Sequence, residues 1–361
     1  MSTSQRRGVA VVTGGSAGVG RAIVERLAVK GFDVGIVARG EAGLDAAAGD
    51  VRKHGRDAVA VAADVTDWAA VDAAATRIED ELGPMDVWVN NAMATVFSWS
   101  WDVEPDEYRR ATEVTYLGQV HGTLAALHRM RPRDHGRIVN VGSALAYVGI
   151  PLQSAYCAAK FACRGFSESV RAELLHQHSA VTLSMVHLPA VNTPQFDWSE
   201  THLPKHPQPV PPIYDPEVAA RHVVAAALDG RRSKVLGAWN KVIVAGGKVA
   251  PSVISHYAAL SAVAGQQTDE PVRPDRPSNL WSAADDGRDH GAHGQFRDRQ
   301  GGFLDPSFLA SLPKTATDVR TAVADAVRFR IDRARRYRGL RDVGRRGSRH
   351  CDTTFGADHS G

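Results

Sequence analysis

The sequence predicts an α/β protein with a doubly wound parallel sheet, followed by a partly disordered C-terminal extension. Short apolar runs, which are typical of buried strands, alternate with patterns of helical period along most of the chain. Such alternation places helices on both faces of a parallel sheet. The composition, 43% apolar and 23% charged residues in a chain of 361, is that of a globular protein with a sizeable core.

Each element follows from one of these runs. Gly31 ends the first helix, while Pro216 and Gly230 mark the beginning and the end of a later one. The predicted strands are GVAVVTGG (8–15), DVGIVAR (33–39), DAVAVAADV (57–65), MDVWVNNA (85–92), GRIVNVGS (136–143) and VTLSMVHLP (181–189), with a further one near SKVLGAW (233–239). The predicted helices span 20–31, 41–54, 67–82, 105–131, 154–178 and 216–230.

The chain divides into three regions. Residues 1–264 form one domain, in which residues 192–216 hold seven prolines and predict a long loop over the sheet. Residues 265–314 are rich in Gly, Asp, Arg and Pro and predict an extended linker. Residues 315–361 predict a basic helical tail with a disordered end. The whole net charge of +3 comes from residues 265–361.

The tail is the segment with a charge imbalance. Residues 314–350 carry 12 Lys or Arg against four Asp, and Val319, Val323, Val327 and Ile331 recur at intervals of four. The simplest interpretation is a solvated helix docked on the body or on a partner subunit. An anionic membrane surface is an alternative partner. Specific nucleic-acid binding is not expected, because no binding fold accompanies the charge.

The remaining composition favours a cytoplasmic protein. The first apolar run, Val9 to Val12, is too short for a signal peptide, and no run reaches the ~20 residues of a membrane span. Cys157, Cys163 and Cys351 do not have metal-ligand spacing, and no metal is expected. The first two lie in a predicted helix and are interpreted as packing residues in a reducing compartment.

The run TGGSAGVGRA lies at a strand-to-helix turn. Gly14, Gly18 and Gly20 lack a Cβ, so the backbone can turn sharply and an anion can approach the helix N-terminus. With the flanking strand and helix, this pattern favours dinucleotide binding over an ordinary tight turn.

In VGIVARG, Ala38 and Arg39 stand where an acidic residue would meet a free ribose hydroxyl. Arginine can pair with a 2′-phosphate, so NADP is favoured over NAD, although Arg39 could also be a solvated surface residue.

Two further runs carry candidate catalytic side chains. In SAYCAAK, Tyr156 and Lys160 are one helical turn apart and project from the same face. A nearby lysine cation favours the ionised phenol, which would make Tyr156 a usable acid and base. A chance pair in a packed helix would have the same spacing. Ser143 ends the fifth predicted strand, where its hydroxyl could bind a substrate carbonyl or merely cap a turn.

Together these runs resemble the short-chain dehydrogenase/reductase family. Over about residues 8–245 the motifs occur in the family order, TGGSAGVG at 13–20, DV at 64–65, NNA at 90–92, Ser143, YCAAK at 156–160 and PAVNT at 189–193. The resemblance implies a Rossmann fold and hydride transfer between a nicotinamide and a carbonyl or secondary alcohol. It also implies a homodimer or homotetramer, formed by the helices at 105–131 and 154–178.

The resemblance implies the following site. Tyr156 is the proton donor or acceptor, Lys160 binds the nicotinamide ribose and lowers the tyrosine pKa, and Ser143 orients the substrate. The implied catalytic residues are Ser143, Tyr156, Lys160 and Thr115. The implied cofactor-binding residues are Thr13, Gly14, Ser16, Gly18, Val19, Gly20, Arg39, Asp64, Val65, Asn90, Ala92, Tyr156, Lys160, Pro189, Val191 and Thr193.

Three positions depart from the family pattern. Met93 and Ala190 replace glycines, and Thr115 replaces an asparagine whose main-chain carbonyl holds a water linked to the lysine. A regulatory or scaffold protein that binds the cofactor without turnover is therefore an alternative. Convergence of Ser143, Tyr156 and Lys160 would favour the enzyme. The sequence does not identify the substrate. An apolar substrate pocket is one interpretation of seven residues, and ordinary core packing is the alternative. They are Met93, Val96, Phe97, Trp99, Leu145, Phe196 and Trp198.

Overall fold

The computed structural model describes residues 6–230, 233–284 and 287–297. The basic helix predicted for the tail lies outside these residues. Eleven strands occur in the described part of the chain. They are β1 (Gly8–Thr13), β2 (Phe32–Ala38), β3 (Ala58–Ala62), β4 (Met85–Asn90), β5 (Val96–Phe97), β6 (Arg137–Ser143), β7 (Thr182–Leu188), β8 (Glu200–Thr201), β9 (Lys205–Pro207), β10 (Ser233–Val235) and β11 (Gln267–Pro271).

Seven of these strands form a parallel sheet in the order β10-β7-β6-β4-β1-β2-β3. In β1, Val12 lies between Ile36 of β2 and Val89 of β4. The chain winds outward from β1 in both directions, so the strand order reverses next to β1. The doubly wound parallel sheet predicted from the sequence is confirmed, and ligands of such sheets bind at the carboxyl ends of the strands beside this reversal.

Ten α-helices are described around the sheet. They are α1 (Gly18–Val29), α2 (Glu41–Lys53), α3 (Trp68–Leu82), α4 (Pro105–Thr112), α5 (Gly118–Met130), α6 (Ser154–His176), α7 (Gln195–Trp198), α8 (Pro216–Asp229), α9 (Ala238–Val249) and α10 (Pro251–Gly265). No helix in the described residues combines the length and the apolar character needed to cross a bilayer.

The core has two layers, one on each face of the sheet. Ala10 and Val12 pack with α1, α2 and α8, whereas Val9 and Val11 pack with α3, α5 and α6. This division follows from the strand period of two, which sends successive side chains to opposite faces. Strands buried on both faces are near-continuous apolar runs, which is why the sequence predicts them well.

The helix predicted over residues 105–131 is interrupted. After α4, residues Glu113–Leu117 form a π-helical turn before α5 begins. The interruption has a tertiary cause, because the Thr115 hydroxyl in this turn is bonded to the backbone of Ala94. Gly118 then lies against Val65, where a Cβ would collide with the valine side chain. Turns of this kind are frequent at functional sites.

The C-terminal part of the described chain differs from the predicted linker. Residues 267–271 form β11, which pairs antiparallel with β9, and both Leu280 and Phe296 are buried. Leu280 joins the core on one face of the sheet, while Phe296 packs with Phe97 and Phe196. Helices α9 and α10 were not predicted. The composition of 265–297 indicates an extended chain, but it does not reveal these contacts.

Candidate active site

A cavity of about 490 Å³ lies at the carboxyl edge of the sheet. Fourteen of the predicted site residues line it, namely Gly14, Ser16, Gly18, Val19, Arg39, Asp64, Val65, Ala92, Ser143, Tyr156, Lys160, Pro189, Val191 and Thr193. Thr13, Gly20, Asn90 and Thr115 do not line it. The cavity joins the glycine-rich turn to the candidate catalytic residues, as a dinucleotide and its substrate would require.

The glycine-rich turn is closed too tightly for side chains. Gly14 and Gly18 have φ of 64° and 58°, and a Cβ on Gly20 would collide with the Gly14 carbonyl oxygen. The Thr13 hydroxyl accepts hydrogen bonds from the amides of Asn91 (3.1 Å) and Ala92 (3.4 Å), which holds the loop after β4 beside the turn. The N-terminus of α1 therefore faces the cavity with bare backbone, which fits a diphosphate.

The family resemblance implies that Asn90 lines the cofactor cleft, but Asn90 does not line the cavity. It is buried beneath the cavity, where its side-chain nitrogen donates to Asn140 Oδ1 at 2.8 Å and to Thr123 Oγ1 at 3.0 Å. The neighbouring Asn91 lines the cavity instead, and its Nδ2 donates to the Gly14 carbonyl at 3.1 Å. Asn90 is the last residue of β4, so its side chain follows the strand alternation into the core.

Two charged residues, Arg39 and Asp64, line the far end of the cavity, and Arg110 pairs with Asp64. Asp64 accepts hydrogen bonds from the Arg110 guanidinium and, at 3.0 and 2.9 Å, from the amide and hydroxyl of Thr66. Burial opposes ionisation of Asp64, but these hydrogen bonds outweigh it and lower its pKa. Arg39 Nη1 is 3.9 Å from Asp64, and this nitrogen is buried without a hydrogen-bond partner in the described chain. An orphaned guanidinium nitrogen fits an anionic ligand.

Ser143, Tyr156 and Lys160 converge at the other end. Lys160 is buried, its Nζ donates to the Val141 carbonyl at 2.8 Å, and Nζ lies 5.6 Å from the centre of the Tyr156 ring. Burial raises the pKa of the Tyr156 hydroxyl, and a side-chain hydrogen bond with Ser143 opposes the rise. Burial likewise lowers the pKa of Lys160. The protein groups alone thus hold Tyr156 as a neutral phenol, which can donate a proton.

The implied role of Thr115 depends on its main-chain carbonyl. That carbonyl accepts a hydrogen bond from the Cys163 thiol at 3.2 Å. Cys163 is buried one turn beyond Lys160 on α6, and burial raises the pKa of its thiol, so it remains a protonated donor. The Thr115 side chain lies away from the cavity and holds Ala94. The sequence therefore places Thr115 near the lysine, but the structure gives its carbonyl a thiol partner.

His187 supports Ser143 from the neighbouring strand β7. Its Nδ1 lies 3.1 Å from the Ser143 carbonyl oxygen and its Nε2 lies 3.3 Å from the Tyr147 hydroxyl. A neutral ring with its proton on Nδ1 satisfies both contacts, because it donates to the carbonyl and accepts from the hydroxyl. Burial lowers the pKa of His187 to about 4. The sequence analysis did not single out His187, because it lies within a run that predicts a buried strand and no motif marks it.

The remaining wall of the cavity is largely apolar. Met93, Phe97, Leu145, Phe196 and Trp198 line it, whereas Val96 belongs to the core and Trp99 lies outside. Helices α9 and α10 add Ile243, Ile254, Ala258 and Ala262. The end of α10 is anchored by Gln266, which is fully buried and donates to the Pro151 carbonyl at 2.9 Å. The sequence offers little signal for these helices as a wall of the site.

Residues 8–202 match the family model for short chain dehydrogenases. The chain belongs to the short-chain dehydrogenase family. The family resemblance stated from the motifs is therefore confirmed, and the protein is an NAD(P)-dependent short-chain dehydrogenase/reductase acting on CH–OH or C=O groups. The glycine-rich turn and the orphaned Arg39 nitrogen fit such a cofactor.

Several relatives cover most of the chain. The uncharacterized oxidoreductase YxnA of Bacillus subtilis is 31% identical over 287 residues, which cover 79% of this chain and 81% of that one. The 3-dehydrosphinganine reductase of Danio rerio is 31% identical over 235 residues, covering 63% and 70%. A crystal structure of an actinorhodin polyketide ketoreductase variant with NADPH has a TM-score of 0.57, with 25% identity and coverage of 65% and 97%.

We predict that His187 makes the stability of the protein depend on pH. Its pKa is about 4 in the folded protein and about 6.5 when exposed, so the unfolded chain binds the extra proton between these values. The contribution of His187 to the free energy of unfolding should therefore be complete above about pH 6.5. It should fall by on the order of 3 kcal/mol as the pH is lowered towards 4. Denaturant titrations at pH 7 and pH 4.5 measure this loss.

His187→Gln is the matched variant, because glutamine can donate and accept but does not titrate. Other groups titrate in both proteins, so the difference between their pH slopes isolates His187. Equal slopes in the two proteins would contradict the prediction.

Proposed function

We propose that this enzyme uses NADPH to reduce a ketone carbonyl on an apolar substrate. The observation that carries the cofactor preference is the buried Arg39 Nη1, which lies at the far end of the cavity without a hydrogen-bond partner in the described chain. Ala38, the preceding residue, offers no carboxylate to a ribose hydroxyl.

The charges around Arg39 support a phosphate ligand. Arg110 already neutralises Asp64 through a direct ion pair, and Arg39 is 3.9 Å from the same carboxylate. Two guanidinium groups against one carboxylate leave an excess positive charge. A 2′-phosphate would supply the missing negative charge and the acceptor oxygens that a guanidinium binds as a pair.

The protein groups at the other end of the cavity suit reduction. When bound, the nicotinamide supplies the hydride. Tyr156 donates the proton to the carbonyl oxygen, for which a pKa raised by burial keeps the phenol protonated. Ser143 holds the same oxygen from a second direction. Lys160 stabilises the phenolate that forms, because its ammonium lies over the tyrosine ring and has three donors, of which Val141 takes one.

The apolar wall supports a lipophilic substrate. Phe97, Leu145, Phe196 and the α10 side chains make the lining of the cavity largely apolar. Relatives with about 30% identity are named 3-dehydrosphinganine reductase and 3-ketodihydrosphingosine reductase, which are names of ketone reductases. Oxidation of NADPH with a panel of ketones of increasing chain length tests this proposal. A preference for small polar aldehydes would contradict it.

We expect NADPH to bind more tightly than NADH. Arg39→Ala should weaken NADPH by about 1.5–3 kcal/mol, the usual size of a hydrogen bond to a charged group, and leave NADH nearly unchanged. Fluorescence titration of both cofactors measures the effect. Arg52→Ala, which removes an exposed arginine of α2, is the control. Equal affinities in the unchanged protein would refute the NADP preference.

Tyr156→Phe should retain cofactor binding and lose turnover by ~10²-fold to 10⁴-fold or more, because the proton donor is gone. Lys160→Ala should impair both cofactor binding and turnover, since the lysine is assigned to both. Steady-state rates together with cofactor titrations separate the two effects. A Tyr156→Phe protein with normal turnover would rule out the assigned mechanism.

The enzyme should form a homodimer or homotetramer. Phe161 and Leu175 of α6 and Leu117 of the π-helical turn are exposed, although each is a large apolar side chain. Light scattering should give a mass of two or four subunits, and Phe161→Glu should lower it because a charge cannot be buried there unpaired. Trp101→Glu, at another exposed aromatic residue, is the control. A mass of one subunit for the unchanged protein would disprove the assembly.

A further inference from the structure

The residues that follow β11 cross the cofactor side of the cavity. We name residues 273–284 and 287–297 the strap. Near its start it is bonded to α7, where the Asn279 amide donates to the Trp198 carbonyl at 2.8 Å. Its end is bonded to the loop between β7 and α7, where the Phe296 amide donates to Asn192 Oδ1 at 3.0 Å. The strap lies beyond the residues matched by the family model.

Between these ends the strap meets the groups that surround a dinucleotide. Arg39 Nη2 donates to the Asn279 carbonyl at 2.5 Å, at the end assigned to the 2′-phosphate. The Gly18 amide, in the first turn of α1, donates to the Gly291 carbonyl at 3.0 Å. Asn279, Ala283, Ala284, Arg288 and His290 line the same cavity as the glycine-rich turn. The strap therefore forms one wall of the cofactor site.

Two strap side chains, Arg276 and His290, have a buried nitrogen without a hydrogen-bond partner in the described chain, and of these two His290 lines the cavity. Its Nε2 is buried without a hydrogen-bond partner in the described chain. Its ring stands edge-on to Trp198, with 4.8 Å between ring centres, so its position is fixed by packing. The neighbouring strap residues have partners, because Asp289 pairs with Arg21 at 3.2 Å and His293 pairs with Glu217 at 3.1 Å. A buried ring nitrogen without a partner is a candidate contact for a ligand in the cavity.

We propose that His290 is a cofactor-binding residue whose Nε2–H donates to the diphosphate of the dinucleotide. The diphosphate is the anionic group expected at the N-terminus of α1, and Gly291, the next strap residue, is bonded there. The Gly291 carbonyl accepts the hydrogen bond of the Gly18 amide. The following amides of the first turn are left for the phosphate oxygens. His290 then supplies a donor from the opposite wall.

This assignment requires only that the enzyme binds a nicotinamide dinucleotide. It does not depend on the preference for NADP, because NADPH and NADH share the diphosphate. Loss of the His290 donor should therefore weaken the binding of NADPH and NADH equally, whereas loss of the Arg39 guanidinium should weaken the binding of NADPH alone. The two proposals can fail separately.

The test compares three variants by fluorescence titration with NADPH and with NADH. His290→Phe keeps a ring against Trp198 and removes the donor, His290→Gln keeps a donor, and His293→Ala changes a strap histidine that does not line the cavity. Thermal unfolding without cofactor checks that each variant is folded. His290→Ala replaces His290→Phe if the larger ring prevents folding.

His290→Phe should raise the Kd of both cofactors by about 10-fold or more, as expected for a lost hydrogen bond to a charged group. His290→Gln should restore most of the affinity, and His293→Ala should change it by less than about threefold. The added stability from a fixed cofactor concentration should fall in step with Kd. An unchanged Kd in His290→Phe, an equal rise in His293→Ala, or a loss confined to NADPH would each overturn the assignment.

Discussion

The Thr115 hydroxyl makes two hydrogen bonds to one residue, donating to the Ala94 carbonyl at 2.8 Å and accepting from the Ala94 amide at 2.9 Å. The main-chain carbonyl of Thr115 accepts the Cys163 thiol, and Cys163 lies on the helix that carries Tyr156. One residue therefore ties the loop after β4, the π-helical turn and the catalytic helix together. Because that loop is also bonded to Thr13 beside the glycine-rich turn, this turn and the proton donor share one frame.

This frame also explains how a charged lysine is tolerated in a buried place. A parallel sheet ends with carbonyl groups at its carboxyl edge, and Lys160 uses that of Val141. Desolvation lowers the pKa of Lys160 and raises that of Tyr156, so both shifts disfavour charge in the closed cavity. A phenolate formed when Tyr156 gives up its proton would lie beside the Lys160 ammonium, which is already in position. The low dielectric that penalises each charge alone strengthens the attraction between them.

The sequence predicts what depends on local rules and misses what depends on tertiary contacts. The strands of the sheet, the turn into α1 and the bounds of α8, capped by Asp215 and ended by Gly230 in the left-handed region, follow from apolar runs and end residues. The π-helical turn does not, because it depends on Ala94 lying opposite Thr115. Which of Asn90 and Asn91 lines the cavity depends on where β4 ends and on the face that its last side chain takes. The apolar wall from α10 requires knowledge of where that helix docks.

The strap shows a further limit of composition as a guide to structure. It is held in part through backbone carbonyls, those of Asn279, Leu280 and Gly291, which accept from Arg39, Arg110 and Gly18. Any residue carries such a carbonyl, so a segment rich in Gly, Asp and Arg can dock without an apolar pattern. The donors that it uses are also those that a dinucleotide would address. Arg39 divides its guanidinium between them, with Nη2 bonded to the strap and Nη1 left for a ligand. A bound cofactor and the strap would therefore contact the same arginine through different nitrogens.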